Sequence, residues 1–226
     1  MEEKLVAFQQ LVKLFNEHGF SLYLVGGTVR DYLLNLPLTD MDAVTDATPE
    51  EMKTFLGGDY TFSKMGSIKT KFENIKFDIT TLRKEEDYQD YRHPSKIHFV
   101  KTLEEDVSRR DFSINAMYLD KDLKLVDFVG GLKDLNQKTI RIIGCPDKRI
   151  KEDPLRILRA IRFSLMLHFS IDSELEKAML DNIELLKLLT KDKVKQEIKK
   201  ITNVENEDIA FIFNKYGINY LLDMIK

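Results

Sequence analysis

Val25-Gly26-Gly27-Thr28-Val29-Arg30-Asp31, followed by Asp40-Met41-Asp42, is the stretch on which the reading of this chain turns. Leu22-Tyr23-Leu24-Val25 is a short apolar run that predicts a buried strand, stopped by the glycine pair, and Thr28 to Asn35 predicts a helix beginning at those glycines. Glycines let backbone approach a phosphate, and a helix N-terminus offers free N–H groups and the positive end of the dipole. Arg30 adds a planar fork for phosphate oxygens. Asp40 and Asp42 alternate in a predicted strand through Met41 and Val44, so their side chains share a face while Met41 points away. Paired carboxylates suit a hard divalent cation, Mg2+ above all. Alone, a glycine pair is commonly a turn and Asp-x-Asp commonly a cap; the ordered combination is more specific. A third acid, Asp78, lies within Phe77-Asp78-Ile79-Thr80-Thr81, where a charge between apolar neighbours is costly unless paired or coordinated. If the two strands are neighbours, three acids meet at one point.

Outward from this stretch, residues 5–15 repeat apolar side chains at helical spacing, and Thr48-Pro49-Glu50-Glu51 is a capping box with proline at the first helical position. Strand-like runs cover 60–65, 68–72 and 75–82, whereas 84–96 is polar and aperiodic and predicts a loop. A helix begins near Thr102 with Glu105 as its capping partner. Residues 116–119 and 123–127 predict a hairpin, Gly130-Gly131 breaks the chain, and 140–143 predicts a last strand. From 146 onward the pattern is helical. The clearest helix has Asp153 as cap and Pro154 at its first position and runs over 155–167; others fit 173–188, 191–202, 206–214 and 218–225. The fold class is α+β: a mixed-sheet head over 1–140, then an all-helical neck over 141–226.

Composition sets the bounds. Of 226 residues, 43% are hydrophobic, enough to bury a core and to exclude wholesale disorder. No apolar run reaches the length of a membrane span. The start, Met1-Glu2-Glu3-Lys4, lacks the basic and apolar stretches of a signal peptide, and a lone Cys145 excludes an internal disulfide, so a cytoplasmic protein with no membrane partner is expected. The net charge of −3 hides an asymmetry: residues 1–60 carry 4 basic and 10 acidic side chains, residues 141–201 carry 14 and 10. Such a balance suits metal at one end and phosphates at the other, although solvated helix faces give the same pattern. His18, His93, His98 and His168 show no ligand spacing, and Tyr88 and Tyr91 either stack on bases or pack locally.

The motif at 26–42 resembles the first motif of the bacterial and eukaryotic tRNA nucleotidyltransferases (CCA-adding enzymes) and their poly(A) polymerase relatives, within the polymerase-beta nucleotidyltransferase superfamily. Further resemblances occur in the family's order: Asp78-Ile79-Thr80-Thr81-Leu82-Arg83 with the strand bearing the third acid, Asp90-Tyr91-Arg92-His93-Pro94 with the flexible loop, and Arg109-Arg110-Asp111-Phe112-Ser113-Ile114-Asn115-Ala116 with the second motif. Asp127-Phe128-Val129-Gly130-Gly131 with Asp134-Leu135 resembles the third motif, and Glu152-Asp153-Pro154-Leu155-Arg156 through Arg159-Ala160-Ile161-Arg162-Phe163 the base-reading one. The segment around 190–201 is only loosely similar to the last motif, with Lys193 where arginine is usual, and most of the family's helical body and tail is not among these residues.

The resemblance implies transfer of C and A from CTP and ATP to the 3′ end of tRNA by two-metal chemistry. Asp40 and Asp42 would hold both Mg2+ ions, and Asp78 would complete one shell or orient the attacking hydroxyl. Gly26, Gly27 and Arg30 would contact the triphosphate, and Arg110 and Asp111 phosphate or ribose. Asp153 and Arg156, three apart on a helix, would project together. Cytosine and adenine both place an exocyclic amino donor beside a ring-nitrogen acceptor, so a carboxylate with a guanidinium accepts them and rejects G and U. Arg159 and Arg162 continue the stripe toward nucleotide or primer phosphates. The structural alternative is a plain cap at Asp153 with Arg156 paired to it in solvent. Two other functions stay open: a poly(A), CC-only or A-only enzyme of the same family, and a nucleotide- or RNA-binding module without catalysis.

Overall fold

Ala7, Phe8, Leu11, Val12 and Phe15 recur at the spacing that puts them on one side of a helix, and in α1 (Glu2–Glu17) all five are buried. This is seen in a computed structural model, which describes residues 1–88 and 94–224. The chain divides into two compact units, Met1–Glu86 with Lys96–Leu132, and Asp87–Ser95 with Lys133–Lys226. The sequence pattern puts the boundary at 140/141; the contacts divide the chain between Leu132 and Lys133.

In the first unit α1 packs on β1 (Leu22–Val25), which leads through helix α2 (Gly27–Leu33) to β2 (Met41–Thr45). Helix α3 (Pro49–Met52) comes next, with both arms of its capping box made: Thr48 Oγ1 accepts from Glu51 N, and Glu51 Oε2 accepts from Thr48 N. The hairpin of β3 (Ser67–Phe72) and β4 (Ile75–Thr81) turns on Glu73-Asn74, whose φ values of 45° and 63° are those of a type I′ turn. Along the chain then come β5 (Arg83–Tyr88) and β6 (Pro94–Phe99), a separate two-stranded sheet, then α4 (Leu103–Val107), β7 (Tyr118–Leu119), β8 (Leu125–Val126) and α5 (Gly131–Asn136); β5, β6 and α5 each have residues in both units. The main sheet has the order β3-β4-β2-β1-β7-β8. Its β2–β4 pair is parallel and its other described pairs are antiparallel.

The second unit contains β9 (Thr139–Ile140), α6 (Pro146–Glu152), α7 (Leu155–Leu167), β10 (Ser170–Ile171), α8 (Ser173–Asp181), α9 (Lys191–Ile198) and α10 (Asn206–Lys215). Its core is built on α7, where Ile157, Leu158 and Ile161 are buried with Val194 and Ile198 of α9 and Ile209 and Phe213 of α10. The neck is helical apart from β10, which pairs in parallel with β9. None of the described helices is long and apolar enough to cross a membrane.

Four local expectations change. Residues 60–65 form no strand: i→i+3 bonds from Ser63 N to Tyr60 O and from Met65 N to Phe62 O wind them into a tight 3-10 turn, ended by left-handed Gly66. The polar run 84–96 is not simply a loop, since β5 takes up its first residues and β6 its last; a two-stranded ribbon buries little, so it lacks the apolar alternation that marks a strand. Asp90, Tyr91, Arg92 and His93 of that run lie outside the described residues. The strand at 140–143 shrinks to Thr139–Ile140, paired outside the main sheet. The helix over 173–188 breaks at Asn182, whose side chain donates to Ala178 O and to Asp147 Oδ1, and resumes as a 3-10 segment, Ile183–Leu188.

The glycine pair at 130–131, in sequence terms only a break, starts α5. The Asp127 carboxylate accepts from the N–H groups of Val129, Gly131 and Leu132 and so fastens the turn. A Cβ on Gly131 would land on the Ser113 carbonyl oxygen and 2.7 Å from Met117 Cγ. Gly131→Ala is therefore expected to destabilise the first unit by about 1–3 kcal/mol, read as a lowered midpoint in urea; an unchanged midpoint contradicts this packing.

Candidate active site

Burial sets the register at the sheet centre. Met41, Ala43, Phe77 and Ile79 are buried on β2 and β4, and the parallel pairing that aligns them puts Asp42 directly beside Asp78. Two carboxylates side by side on adjacent strands repel, which a purely structural sheet avoids. Asp40 precedes β2 and is exposed. Burial first, then the charges of Asp78 and Asp40, push the Asp42 carboxyl up to about 6, while Arg110 and Arg30 pull it back. Asp42 is thus the point at which three carboxylates and two guanidiniums act on one another.

Backbone closes over this point. Gly26 adopts φ 70°, ψ −139°, a conformation suited to glycine, and a Cβ there would stand 3.4 Å from Asp42 Oδ2. Thr28 Oγ1 donates to Asp40 O (3.0 Å) and accepts from Asp42 N (2.9 Å), fixing the backbone on both sides of Met41. Arg30 folds back toward Gly27, where a Cβ would be 3.5 Å from its Nη2. Its Nε and Nη2 pair with Asp31 Oδ1 (2.9 and 2.7 Å) and its Nη1 donates to Asn115 Oδ1 (2.7 Å).

Arg110 is held in a similar way. Asp106, fully buried on α4, accepts from Arg110 Nε at 3.0 Å, Arg109 Nε at 2.8 Å, the Tyr118 hydroxyl at 3.0 Å and the backbone N–H of Arg83 at 3.2 Å. Burial opposes a charge on Asp106, yet Arg110 and Arg109 hold its carboxyl down at about 2. The Arg110 guanidinium also lies 5.1 Å from the centre of the Tyr118 ring. Asp111, at the end of this segment, accepts from Phe112 N at 2.7 Å.

Carboxylates are the ligand type that a hard divalent cation prefers. Among the described residues no three His, Cys, Asp or Glu side chains are grouped to hold one ion, although Asp42 lies in register with Asp78 and feels the charges of both Asp78 and Asp40. Lys69 Nζ stands 3.6 Å from Asp78 Oδ2, so Asp78 already faces a cation of the protein's own. Mg2+ usually takes one or two carboxylates and completes its shell with substrate phosphates and water, a ligand number that Asp40 and Asp42 match.

In the second unit Asp153 lies between α6 and α7 in an extended conformation (φ −148°, ψ 95°), not on a helix with Arg156. Pro154 accounts for this, because the residue before proline is driven out of the α region. The Asp153 carboxylate caps α7 by accepting from Leu155 N at 3.1 Å. Arg156 is buried; its Nη1 donates to Arg149 O and lies 3.2 Å from Glu152 Oε2. Arg159 and Arg162 both lie over Phe163, at 5.7 and 4.1 Å, and Arg162 Nε donates to buried Glu197 Oε1 at 2.7 Å. In the arginine stripe, expected to point toward nucleotide or primer phosphates, Arg156 and Arg162 are paired internally with Glu152 and Glu197.

Thr28, Asn115, Asp106 and Glu197 are not singled out by the sequence motifs. For Asp106 a signal exists: it shares the buried face of α4 with Leu103 and Val107, and arginines stand at i+3 and i+4.

Comparison with known proteins accords with this geometry. Residues 22–141 match the family model described as the poly(A) polymerase head domain. A CCA-adding enzyme of Staphylococcus epidermidis is 38% identical over 93% of this chain and 54% of its own length. The crystal structure of the Bacillus stearothermophilus CCA-adding enzyme in complex with CTP aligns with a TM-score of 0.85 at 29% identity, over 94% of this chain and 52% of that one. The Thermotoga maritima CCA-adding enzyme complexed with tRNA aligns at 0.74 and 29% identity, over 93% and 50%. The chain spans about half the length of the curated relatives it matches.

A raised carboxyl costs stability wherever it is ionised in the folded protein. The folded state holds the Asp42 proton to about 6, the unfolded chain only to about 4; stability from this group therefore falls as pH rises between those values, and the full cost applies above 6. Asp42→Asn is expected to raise the thermal midpoint of the metal-free protein at pH 7.5, by up to about 2 kcal/mol of stability, with the gain gone below pH 4. A gain independent of pH contradicts the electrostatic account.

Proposed function

The chain belongs to the poly(A) polymerase head-domain family, and from that membership we propose that it is the catalytic part of a template-independent RNA nucleotidyltransferase adding C and A to the 3′ end of tRNA. CTP and ATP are its nucleotide substrates. In this reaction the primer's 3′-hydroxyl oxygen bonds to the α-phosphorus, the bond from that phosphorus to the β-phosphate bridging oxygen breaks, and pyrophosphate leaves. The observation that carries the reading is Asp42, in register with Asp78 and raised to about 6 by burial and by two neighbouring carboxylates. A perturbed carboxylate with two others beside it is the mark of a site rather than of a structural sheet.

The residues divide the work by their chemistry. Asp40 and Asp42 would hold Mg2+, which when bound would supply positive charge at the attacking hydroxyl and the departing pyrophosphate. Asp78 accepts from the primer hydroxyl and orients it. Gly26 and Gly27 leave room for the triphosphate, and Arg30 and Arg110, fixed by Asp31, Asn115 and Asp106, present their charge to its oxygens without first having to be ordered. Asp111 meets the ribose. In the second unit Asp153 and Arg156 take the base edge, with Arg159 and Arg162 supporting through phosphate contacts. A lone cysteine suits a cytoplasmic setting.

The decisive assay offers an end-labelled tRNA that stops at the discriminator base, with CTP and ATP singly and together. Incorporation of C from CTP alone, then of A when ATP is added, is expected; A-only extension points to the poly(A) or A-adding members, and no extension with retained RNA binding points to a non-catalytic module. Asp42→Ala is expected to lower incorporation about a thousand-fold or more with the circular dichroism spectrum unchanged; wild-type turnover removes Asp42 from the site. Arg156→Ala is expected to relax exclusion of UTP and GTP about ten-fold, and strict exclusion in that variant removes Arg156 from base reading.

A further inference from the structure

The β3–β4 hairpin carries basic charge that the fold does not use. Strand alternation puts Lys69 and Lys71 of β3 on one face, and the antiparallel register sets Lys69 opposite Asp78 and Lys71 opposite Lys76. Ile68, Thr70 and Phe77 alternate with them and are buried, Thr70 and Phe77 also reaching the wall of the groove that the lysines line. Lys71 and Lys76 are both exposed. Like charges directly opposed across a ladder destabilise a sheet, and among the described residues no carboxylate is paired with either lysine. The three lysines line one groove with Asp40, Asp78 and Gly58. A Cβ on Gly58 would stand 2.6 Å from Lys69 O, so glycine is what lets Asp59 pair with Lys69 and close that wall. The charge sequence along the groove runs from two facing lysines, through the Lys69–Asp78 pair, to the acids.

We propose that this groove binds the phosphodiester backbone of the RNA primer immediately behind its 3′ end, with Lys71 and Lys76 on the phosphates and the terminal hydroxyl delivered toward Asp78. The inference rests on the nucleotidyltransferase function proposed for this chain. Lys71 and Lys76 stand two residues along the strands from Lys69 and Asp78, about 7 Å, a separation that one nucleotide spans. Facing lysines, repulsive by themselves, become favourable when a phosphate lies between them. Because backbone phosphates are common to every sequence, the groove adds affinity and direction and leaves base choice elsewhere.

The test uses the full chain with the double variant Lys71→Ala/Lys76→Ala. Binding of the labelled tRNA is followed across a salt series, and KM is measured separately for primer and for CTP. Expected are primer affinity about ten-fold weaker and a salt slope shallower by about 1 to 1.5. KM for CTP and kcat stay at their wild-type values, and Lys71→Arg/Lys76→Arg keeps the wild-type slope. The thermal midpoint of the alanine variant stays equal or rises, since a repulsive pair is removed, so weaker binding is not misfolding. An unchanged slope and affinity in an enzyme that still extends tRNA overturns the groove alone. A rise in KM for CTP instead of primer assigns the lysines to the triphosphate and overturns it as well. A wild-type chain that neither binds nor extends RNA overturns the nucleotidyltransferase reading, and the groove with it.

Discussion

The pairing of Asp42 with Asp78 is the constraint around which the first unit is arranged. Nothing favours two carboxylates in register on neighbouring strands; the other face of the same strands holds them there. Met41, Ala43, Phe77 and Ile79 are all buried, and a slip of one residue would turn every one of them toward solvent and the acids inward. The hydrophobic face therefore imposes the register that brings the charges together, and the free energy of burying that face tolerates the repulsion. The crossover through α3 permits the parallel alignment, and its capping box, complete in both directions, fixes where that crossover begins.

Such a pair would lose its character if free cations neutralised it. Arg30 and Arg110 are close enough to lower the Asp42 carboxyl, but burial and the carboxylates outweigh them. Each guanidinium already answers to another acceptor: Asp31 and Asn115 for Arg30, Asp106 and Tyr118 for Arg110. A buried carboxylate shared by two arginines is costly to break and fixes geometry even where its net contribution to stability is small. Asp106 thereby sets the position of Arg110 and moderates its field at Asp42.

Local physics makes much of this legible from the sequence. The strand–glycine–helix stretch, the Asp-x-Asp alternation, the capping box at Thr48 and the β3–β4 pair all rest on patterns a few residues long, and each is where the sequence puts it except that Asp40 stands just before β2. Misreadings arise where a local pattern and its environment part company. Residues 60–65 have the aromatic and β-branched composition of a strand, but i→i+3 bonds and left-handed Gly66 turn them aside. In β5 and β6 the reverse holds: a polar ribbon pairs without an apolar face to announce it. The other cross-strand neighbour of the third acid, Lys69, is invisible in the sequence until β3 and β4 are paired.

The arginines of α7 show why spacing alone misreads charge. Arg156, Arg159 and Arg162 repeat every third residue, the mark of a solvated face, yet Arg156 falls on the same helical stripe as Ala160 and Phe163, all three buried. A guanidinium on an interior stripe cannot be left bare, because an unpaired buried charge is prohibitively costly. It therefore implies a carboxylate one turn away or from a distant helix. Glu152, four residues earlier, and Glu197, from α9, are those carboxylates for Arg156 and Arg162. The first is recoverable from the sequence by asking which acid lies at i−4; the second, thirty-five residues downstream, requires the packing of α9 on α7. For recognition, the consequence is rigidity. An arginine already ordered by Glu152 and by the Arg149 carbonyl loses little side-chain entropy when a ligand arrives, so discrimination by Arg156 would come from geometry fixed before binding and not from adjustment afterward.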